Sequence, residues 1–147
     1  LGTGANLRYA RLDYSDFSQA YMPQANLQSA ELKYANLEGV NLSESNLKRT
    51  SFINANLENA ELLSSDLTNA NLRGANLTKT DLSEAILWGV KLEGADLSDI
   101  ILDNAIVNRE DWIAYVKDSL DLKGSGSIEK NYRIKMQGKQ QFTLVRR

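Results

Sequence analysis

The chain has 147 residues, a formal net charge of −2, and neither cysteine nor histidine. Its length suits one domain with its own core, and its near-neutral charge provides no long-range attraction for nucleic acid. The missing residue types exclude disulfide bonds, thiolate metal sites and histidine-based catalysis. No apolar run reaches the roughly 18 residues that a membrane span needs. We therefore expect no cofactor, no metal site and no membrane partner.

After an N-terminal remnant, residues 1–4, a five-residue pattern runs without interruption through residues 5–108. Every fifth residue from Leu7 to Val107 is large and apolar, and 17 of these 21 positions are Leu. Two residues before each stands a small residue, which is Ala in 13 of the 21 units. A period of five fits neither an α-helix nor a strand. A single unit buries almost nothing, so the units are expected to coil and stack.

The units Ala5-Asn6-Leu7-Arg8-Tyr9, Ala25-Asn26-Leu27-Gln28-Ser29 and Ala95-Asp96-Leu97-Ser98-Asp99 resemble the A(D/N)LXX motif of pentapeptide-repeat proteins. The resemblance implies an all-β solenoid, a right-handed, four-sided parallel β-helix of about five coils with four units per coil. Similar proteins are common in cyanobacteria and in thylakoid lumens, mostly without assigned roles. The sequence leaves the compartment open between the cytoplasm and, if a targeting segment has been removed before Leu1, the periplasm or the thylakoid lumen.

Four units per coil place residues 20 apart above one another, so outward side chains sort onto four faces. We number them 1 to 4 after the units of Leu7, Leu12, Phe17 and Met22. Faces 1 and 2 carry net charges of +2 and +1, and faces 3 and 4 carry −4 and −5. The acidic residues of face 3 are Asp16, Glu38, Glu58, Asp96 and Asp99. Those of face 4 are Glu44, Glu61, Asp81, Glu84 and Asp103.

Four tyrosines stand at outward positions of the first two coils. They are Tyr9, Tyr14, Tyr21 and Tyr34. Exposed aromatic residues in register can anchor a partner, so this set is a candidate interaction patch. The alternative is that stacked tyrosines simply suit a flat β surface.

Residues 109–122 are predicted to form a helix that caps the last coil. Asn108 has the residue type of an N-cap, and acidic residues follow it in the first turn. Apolar residues then recur at helical spacing, and they are Trp112, Ile113, Val116 and Leu120. A solenoid has to cover the exposed end of its core, so we expect these side chains to pack on the last coil. A ligand-stacking role for Trp112 is the alternative.

Residues 123–147 are predicted to be a linker and a tail. The composition of residues 123–127, Lys-Gly-Ser-Gly-Ser, is typical of a flexible linker. Alternation around Ile134 and Leu144 predicts two short strands joined by a turn. An isolated hairpin is only marginally stable in water, whereas the last coil offers outward apolar residues such as Trp88 and Ile106. We therefore expect this segment, with a net charge of +6, to fold back on the rod or to dock on an acidic surface.

The opposite end has no predicted cap, because residues 1–4 are too short to cover Leu7 and Leu12. Gly2 stands where a core leucine would fall. This leaves two expectations, that an upstream segment covers the end or that the end self-associates.

The convex rod favours a non-catalytic scaffold or protein-interaction module, because an enzyme needs titratable groups that converge in a concave site. The alternative is a DNA mimic that binds gyrase, as the resemblance implies for some relatives. A rod of about 25 Å would need on the order of 15 negative charges to match duplex DNA, and residues 5–108 net −6. The expected partner is therefore another protein, without direct binding of nucleic acid.

Overall fold

The computed structural model describes residues 2–147, and its main body is a β-helix. Parallel β-bridges join residues 20 positions apart, from Asn6 with Asn26 to Ile86 with Ile106. The bridges recur at every fifth residue, so each coil has one bridged column on each of its four faces. Residues 20 apart therefore stack, as the resemblance to pentapeptide-repeat proteins implies.

Each corner of the coil is a four-residue turn. In the corner after face 1, the Ala10 N–H donates to the Leu7 carbonyl oxygen at 3.1 Å, and the third residue, Tyr9, has a φ of +59°. A positive φ recurs at this position throughout the repeat region, mostly at residues other than glycine. Such backbone is uncommon for those residues. Hydrogen bonds between coils hold it in place, such as Tyr9 N–H to the Gln28 carbonyl oxygen at 3.0 Å.

The large and small residues of each unit point into a continuous core. From Met22 to Leu82, every large inward side chain is at most 2 % exposed. Thr50 stands at a small position where alanine is usual, and its Oγ1 donates to the Leu27 carbonyl oxygen at 2.8 Å. A buried hydroxyl costs little once it is hydrogen-bonded. The core therefore accepts threonine without breaking the stack.

Short helices and a hairpin follow the repeat. In chain order the elements are β1 (Ile106–Val107), α1 (Trp112–Ala114), a π-helical segment (Tyr115–Ser119), α2 (Ser125–Asn131), β2 (Tyr132–Gly138) and β3 (Gln141–Arg146). The three strands form one sheet in the order β1-β3-β2, with both pairs antiparallel. The hairpin therefore extends the last coil through β1. None of the helices in residues 2–147 is long and apolar enough to cross a membrane.

The start of the capping helix differs from the prediction. The N-cap position is held by Asp111, not Asn108, and its side chain makes no capping hydrogen bond. Val107 pairs with Phe142 in the sheet, so the chain needs further residues to turn before a helix can begin. The Asp111 carboxylate is held instead by Arg109, whose Nε and Nη2 donate to it at 2.8 and 2.9 Å.

The prediction of a flexible linker at residues 123–127 is also wrong, because this segment packs on the last coil. Lys123 forms a parallel β-bridge with Asp96, and α2 begins at Ser125. Gly124 permits this close approach, since its φ is +84° and a methyl group there would overlap the Leu97 backbone. The glycine therefore serves contact with the coil rather than flexibility.

The two ends of the core are finished differently. Apolar residues from the later elements join the core at the C-terminal end, and they are Trp112, Val116, Leu122, Ile128, Tyr132 and Leu144. Ile113 and Leu120 pack against it while partly exposed. At the N-terminal end Leu7, Leu12 and Phe17 stay partly exposed. Within residues 2–147, the core is therefore closed at one end and open at the other.

Candidate interaction surfaces

Tyr14 and Tyr34 form an exposed aromatic stack at the corner between faces 2 and 3. Each is the third residue of its turn, with φ values of +62° and +59°. The ring centroids lie 5.1 Å apart, and the ring planes are 5° from parallel. Tyr14 is 75 % exposed and Tyr34 is 51 % exposed. The coil thus places one ring directly above the other, and the pair presents an apolar surface with two polar tips.

The other two tyrosines of the predicted patch lie apart from this stack. Tyr9 is at the corner between faces 1 and 2, where the Arg8 guanidinium lies 5.2 Å from the ring centre and its Nη2 donates to the Tyr9 hydroxyl oxygen at 3.2 Å. Tyr21 is bridged to Asn41 on face 4, which is opposite face 2. Of the four predicted tyrosines, the structure therefore brings only the rings of Tyr14 and Tyr34 into contact.

The acidic side chains of faces 3 and 4 are largely engaged by their neighbours. Glu44 accepts a hydrogen bond from Gln24 Nε2, one coil away, at 3.0 Å. Hydrogen bonds from the side chain and the backbone of Ser18 lower the pKa of Asp16. Further acceptors of side-chain hydrogen bonds are Glu58, Glu61, Asp81 and Glu84. The carboxylates of Glu44, Glu58, Glu61 and Glu84 therefore form hydrogen bonds between neighbouring coils. The other acidic residues of face 3 are Glu38, Asp96 and Asp99.

The basic tail pairs with two more of these acids. Lys123 Nζ lies 2.6 Å from Asp96 Oδ2, and this hydrogen bond is the first cause of the lowered pKa of Asp96. Arg146 Nε lies 2.6 Å from Asp103 Oδ1, which also accepts the Tyr132 hydroxyl at 3.0 Å. Burial raises the pKa of Tyr132. The tail therefore neutralises part of the negative charge at the C-terminal end of faces 3 and 4.

An apolar groove lies on face 1 beside the tail. Ile86, Trp88, Ile106 and Gln141 are among the residues that line it, and its volume is about 420 Å³. The sequence predicts that the tail covers these apolar residues. The hairpin pairs with Ile106 through β3 but leaves Trp88 38 % exposed.

The acidic side chains of residues 2–147 are dispersed over the surface rather than gathered in one cluster. Among residues 2–147, no three acidic side chains converge closely enough to hold a metal ion. Five carboxylates in the described residues have a lowered pKa, and they are Asp16, Asp66, Glu93, Asp96 and Asp111. A carboxylate with a lowered pKa is ionised at neutral pH and makes a poor general acid or base.

The family described as pentapeptide repeats matches residues 3–33, 30–62 and 61–99, with eight copies. Among solved structures, the chain is similar to HetL, a pentapeptide repeat protein involved in heterocyst differentiation regulation in the cyanobacterium Nostoc sp. strain PCC 7120. The identity is 32 % over 70 % of this chain, with a TM-score of 0.67. The match covers 49 % of HetL, so this chain spans about half the length of that protein.

The chain is also similar to AT2G44920, a pentapeptide repeat protein from the Arabidopsis thaliana thylakoid lumen. The identity is 27 %, the match covers 75 % of this chain and 76 % of that one, and the TM-score is 0.60. QnrB1, a plasmid-mediated fluoroquinolone resistance protein, is 22 % identical over 69 % of this chain and 61 % of its own, with a TM-score of 0.48. That likeness is too distant to bear on function. No curated protein sequence matches the chain significantly.

Proposed function

The chain belongs to the pentapeptide-repeat family, and from that premise we propose that it is a non-catalytic scaffold that holds a partner protein at its tyrosine corner. The tyrosine corner is the stack of Tyr14 and Tyr34, and its exposure carries the proposal. Two parallel rings 5.1 Å apart remain 75 % and 51 % exposed. Exposed aromatic rings are enriched among the residues that dominate binding energy.

The backbone beneath the two rings supports this role because it is already ordered. Tyr14 N–H donates to the Lys33 carbonyl oxygen at 2.9 Å, and Tyr34 N–H donates to the Ile53 carbonyl oxygen at 2.9 Å. A tyrosine side chain has only two rotatable angles to fix, so covering it costs little entropy. The corner can therefore bind without rearrangement, which favours affinity.

The proposal predicts that replacing both rings, Tyr14→Ala and Tyr34→Ala, weakens partner binding. An aromatic anchor commonly contributes about 2 kcal/mol, or roughly thirtyfold in affinity. Tyr21→Ala is the matched control, because it removes an exposed ring from face 4, outside the tyrosine corner. Affinity capture from a cell extract with all three proteins, followed by calorimetry with a recovered partner, measures the effect. A partner that the double variant binds as tightly as the unchanged chain would contradict the site.

The charge of faces 3 and 4 favours a second candidate, a protein that binds gyrase in place of DNA. Their net charges are −4 and −5. Against this candidate, Lys123 and Arg146 pair with acids on these faces, so the charge density falls further below that of duplex DNA. A supercoiling assay with gyrase separates the candidates, and we expect no inhibition. Inhibition that is lost in Glu44→Gln with Glu61→Gln would replace the scaffold proposal.

A further inference from the structure

A small pocket lies between the last coil and the tail, at the corner between faces 3 and 4. Its volume is about 200 Å³, which is smaller than the roughly 300–1,000 Å³ of pockets for drug-sized ligands. Its lining combines apolar side chains, among them Ile100 and the buried Ile128 of α2, with the exposed charged residues Asp99 and Arg146. The pocket therefore offers both an apolar wall and charges of both signs.

Backbone groups beside this pocket are left without the partners that they have in earlier coils. Lys79 N–H, which is equivalent to Asp99 N–H, donates to the next coil at 2.9 Å, and the Thr80 carbonyl oxygen accepts from Ile101 N–H at 3.0 Å. In the last coil, the Asp99 N–H and the Ile100 carbonyl have no such bond within residues 2–147. One donor and one acceptor are thus free where the tail takes the place of a further coil, and such groups need a partner.

The two charged side chains of the pocket also keep free hydrogen-bonding groups. The acids on either side of Asp99 are paired with the tail, Asp96 with Lys123 and Asp103 with Arg146. Within the described residues, Asp99 has no ion pair. Arg146 uses its Nε for Asp103, at 2.6 Å, so the two terminal nitrogens of its guanidinium group can still donate.

We propose that this pocket binds a free amino acid with a small apolar side chain, such as valine. The ammonium group binds the Asp99 carboxylate, and the ligand's carboxylate binds the terminal nitrogens of Arg146, because charge-assisted hydrogen bonds are the strong ones. The Ile100 carbonyl and the Asp99 N–H provide a further acceptor and a further donor, and the ligand side chain contacts Ile128. This inference goes beyond the scaffold proposal and does not depend on the tyrosine corner.

The opposite charges of the pocket select a zwitterion over a simple ion. A lone anion at Arg146 would lie beside the negative Asp99, and a lone cation at Asp99 would lie beside the positive Arg146. Like charges brought together in a binding site are unfavourable. An amino acid brings no net charge and satisfies both groups. The small volume excludes a peptide, whose terminal charges are separated by one or more further residues.

Titration of the whole isotope-labelled chain with L-valine, followed by amide chemical shifts in NMR spectra, tests the proposal. We expect saturable shifts at the amides of Asp99 and Ile128, with the amides of Tyr14 and Tyr34 unchanged. Isovalerate is valine without the ammonium group, and isobutylamine is valine without the carboxylate. Each loses one set of charge-assisted hydrogen bonds, so we expect each to bind about tenfold more weakly.

Asp99→Asn tests the role of the carboxylate directly. It is expected to weaken valine binding about tenfold and to strengthen isovalerate binding, because the repulsion of the anion is removed. Asp121→Asn is the matched control, since Asp121 is also exposed with a positive φ, +48° against +54° for Asp99, but does not line the pocket. Asparagine accepts this backbone as readily as aspartate, so both variants are expected to keep the fold.

Three results would overturn the proposal. One is the absence of a saturable shift at Asp99 with L-valine. Another is that isovalerate or isobutylamine binds as tightly as valine. The last is that Asp99→Asn binds valine as tightly as Asp121→Asn does, or gains no affinity for isovalerate.

Discussion

Within residues 2–147, the first and last coils of the solenoid differ in how far their cores are covered. At the C-terminal end, α1, α2 and the hairpin bury Trp112 and Tyr132 against the last coil. At the N-terminal end, Leu7 and Leu12 occupy the same positions in the repeat as buried leucines elsewhere, yet they are partly exposed. Each coil of a solenoid is stabilised mainly by its neighbours. A residue's contribution to stability therefore depends on its coil more than on its place in the motif.

The largest expected effect compares two leucines in equivalent positions. Leu102→Ala beneath the cap is expected to cost about 2–5 kcal/mol of unfolding free energy, because Leu102 is fully buried and the change leaves a cavity. Leu12→Ala is expected to cost less than half as much, because its side chain already meets solvent. Denaturant unfolding measures both, at a concentration where the chain is monomeric. Equal costs would show that the two ends are not different in stability.

A smaller effect is expected where the cap meets the last coil. Gly124→Ala would overlap the Leu97 backbone and also hold alanine at a φ of +84°. Gly94→Ala is the matched control, because its φ is +73° but its nearest neighbours stand at an ordinary 3.8 Å. Strained backbone alone costs about 1–2 kcal/mol, so we expect Gly124→Ala to exceed Gly94→Ala. Hydrogen exchange should show the excess as faster exchange in α2, and exchange that is equal in the two variants would contradict the close contact.

The smallest effect concerns acid. The pKa of Asp96 is lowered, first by its hydrogen bond with Lys123. The ionised carboxylate therefore stabilises the fold at pH values above its ordinary pKa of 3.8, and this contribution is lost as the pH falls through the lower folded value. Asp96→Asn should lower the melting temperature slightly at neutral pH and weaken its dependence on acid. Asp99→Asn, on the same face, is the control, and the same loss of acid dependence in both variants would argue against the pair.

The five-residue period predicted that the units coil and stack, and the resemblance to pentapeptide-repeat proteins implied the β-helix with its 20-residue stacking. The family resemblance was confirmed. The errors fall where contacts between distant residues override local signals. Asn108 looks like an N-cap, but pairing of Val107 with Phe142 delays the helix. Gly124 looks like part of a linker, but its close approach to Leu97 orders the segment.

The sequence predicted the stacked pair of the tyrosine corner, but it also grouped two further tyrosines into the same patch. The spacing of 20 between Tyr14 and Tyr34 predicts that one lies above the other, and the structure stacks them. The same spacing rule places Tyr9 and Tyr21 in the first coil but on other parts of its perimeter. The role of the Tyr132 hydroxyl, which accepts from Leu102 N–H and donates to Asp103, had no local signal. Such contacts depend on how the tail returns to the rod.

The constant contact between coils also makes the rod adjustable in two independent ways. Inserting or deleting 20 residues would lengthen or shorten it by one strand spacing, about 4.8 Å, while every face stays in line. Inserting or deleting five residues would instead rotate everything beyond that point by a quarter turn. A single duplication can therefore change either the distance between the tyrosine corner and the capped end or the direction in which they face. The number of repeat units thus determines both the length of the rod and the relative orientation of the surfaces at its two ends.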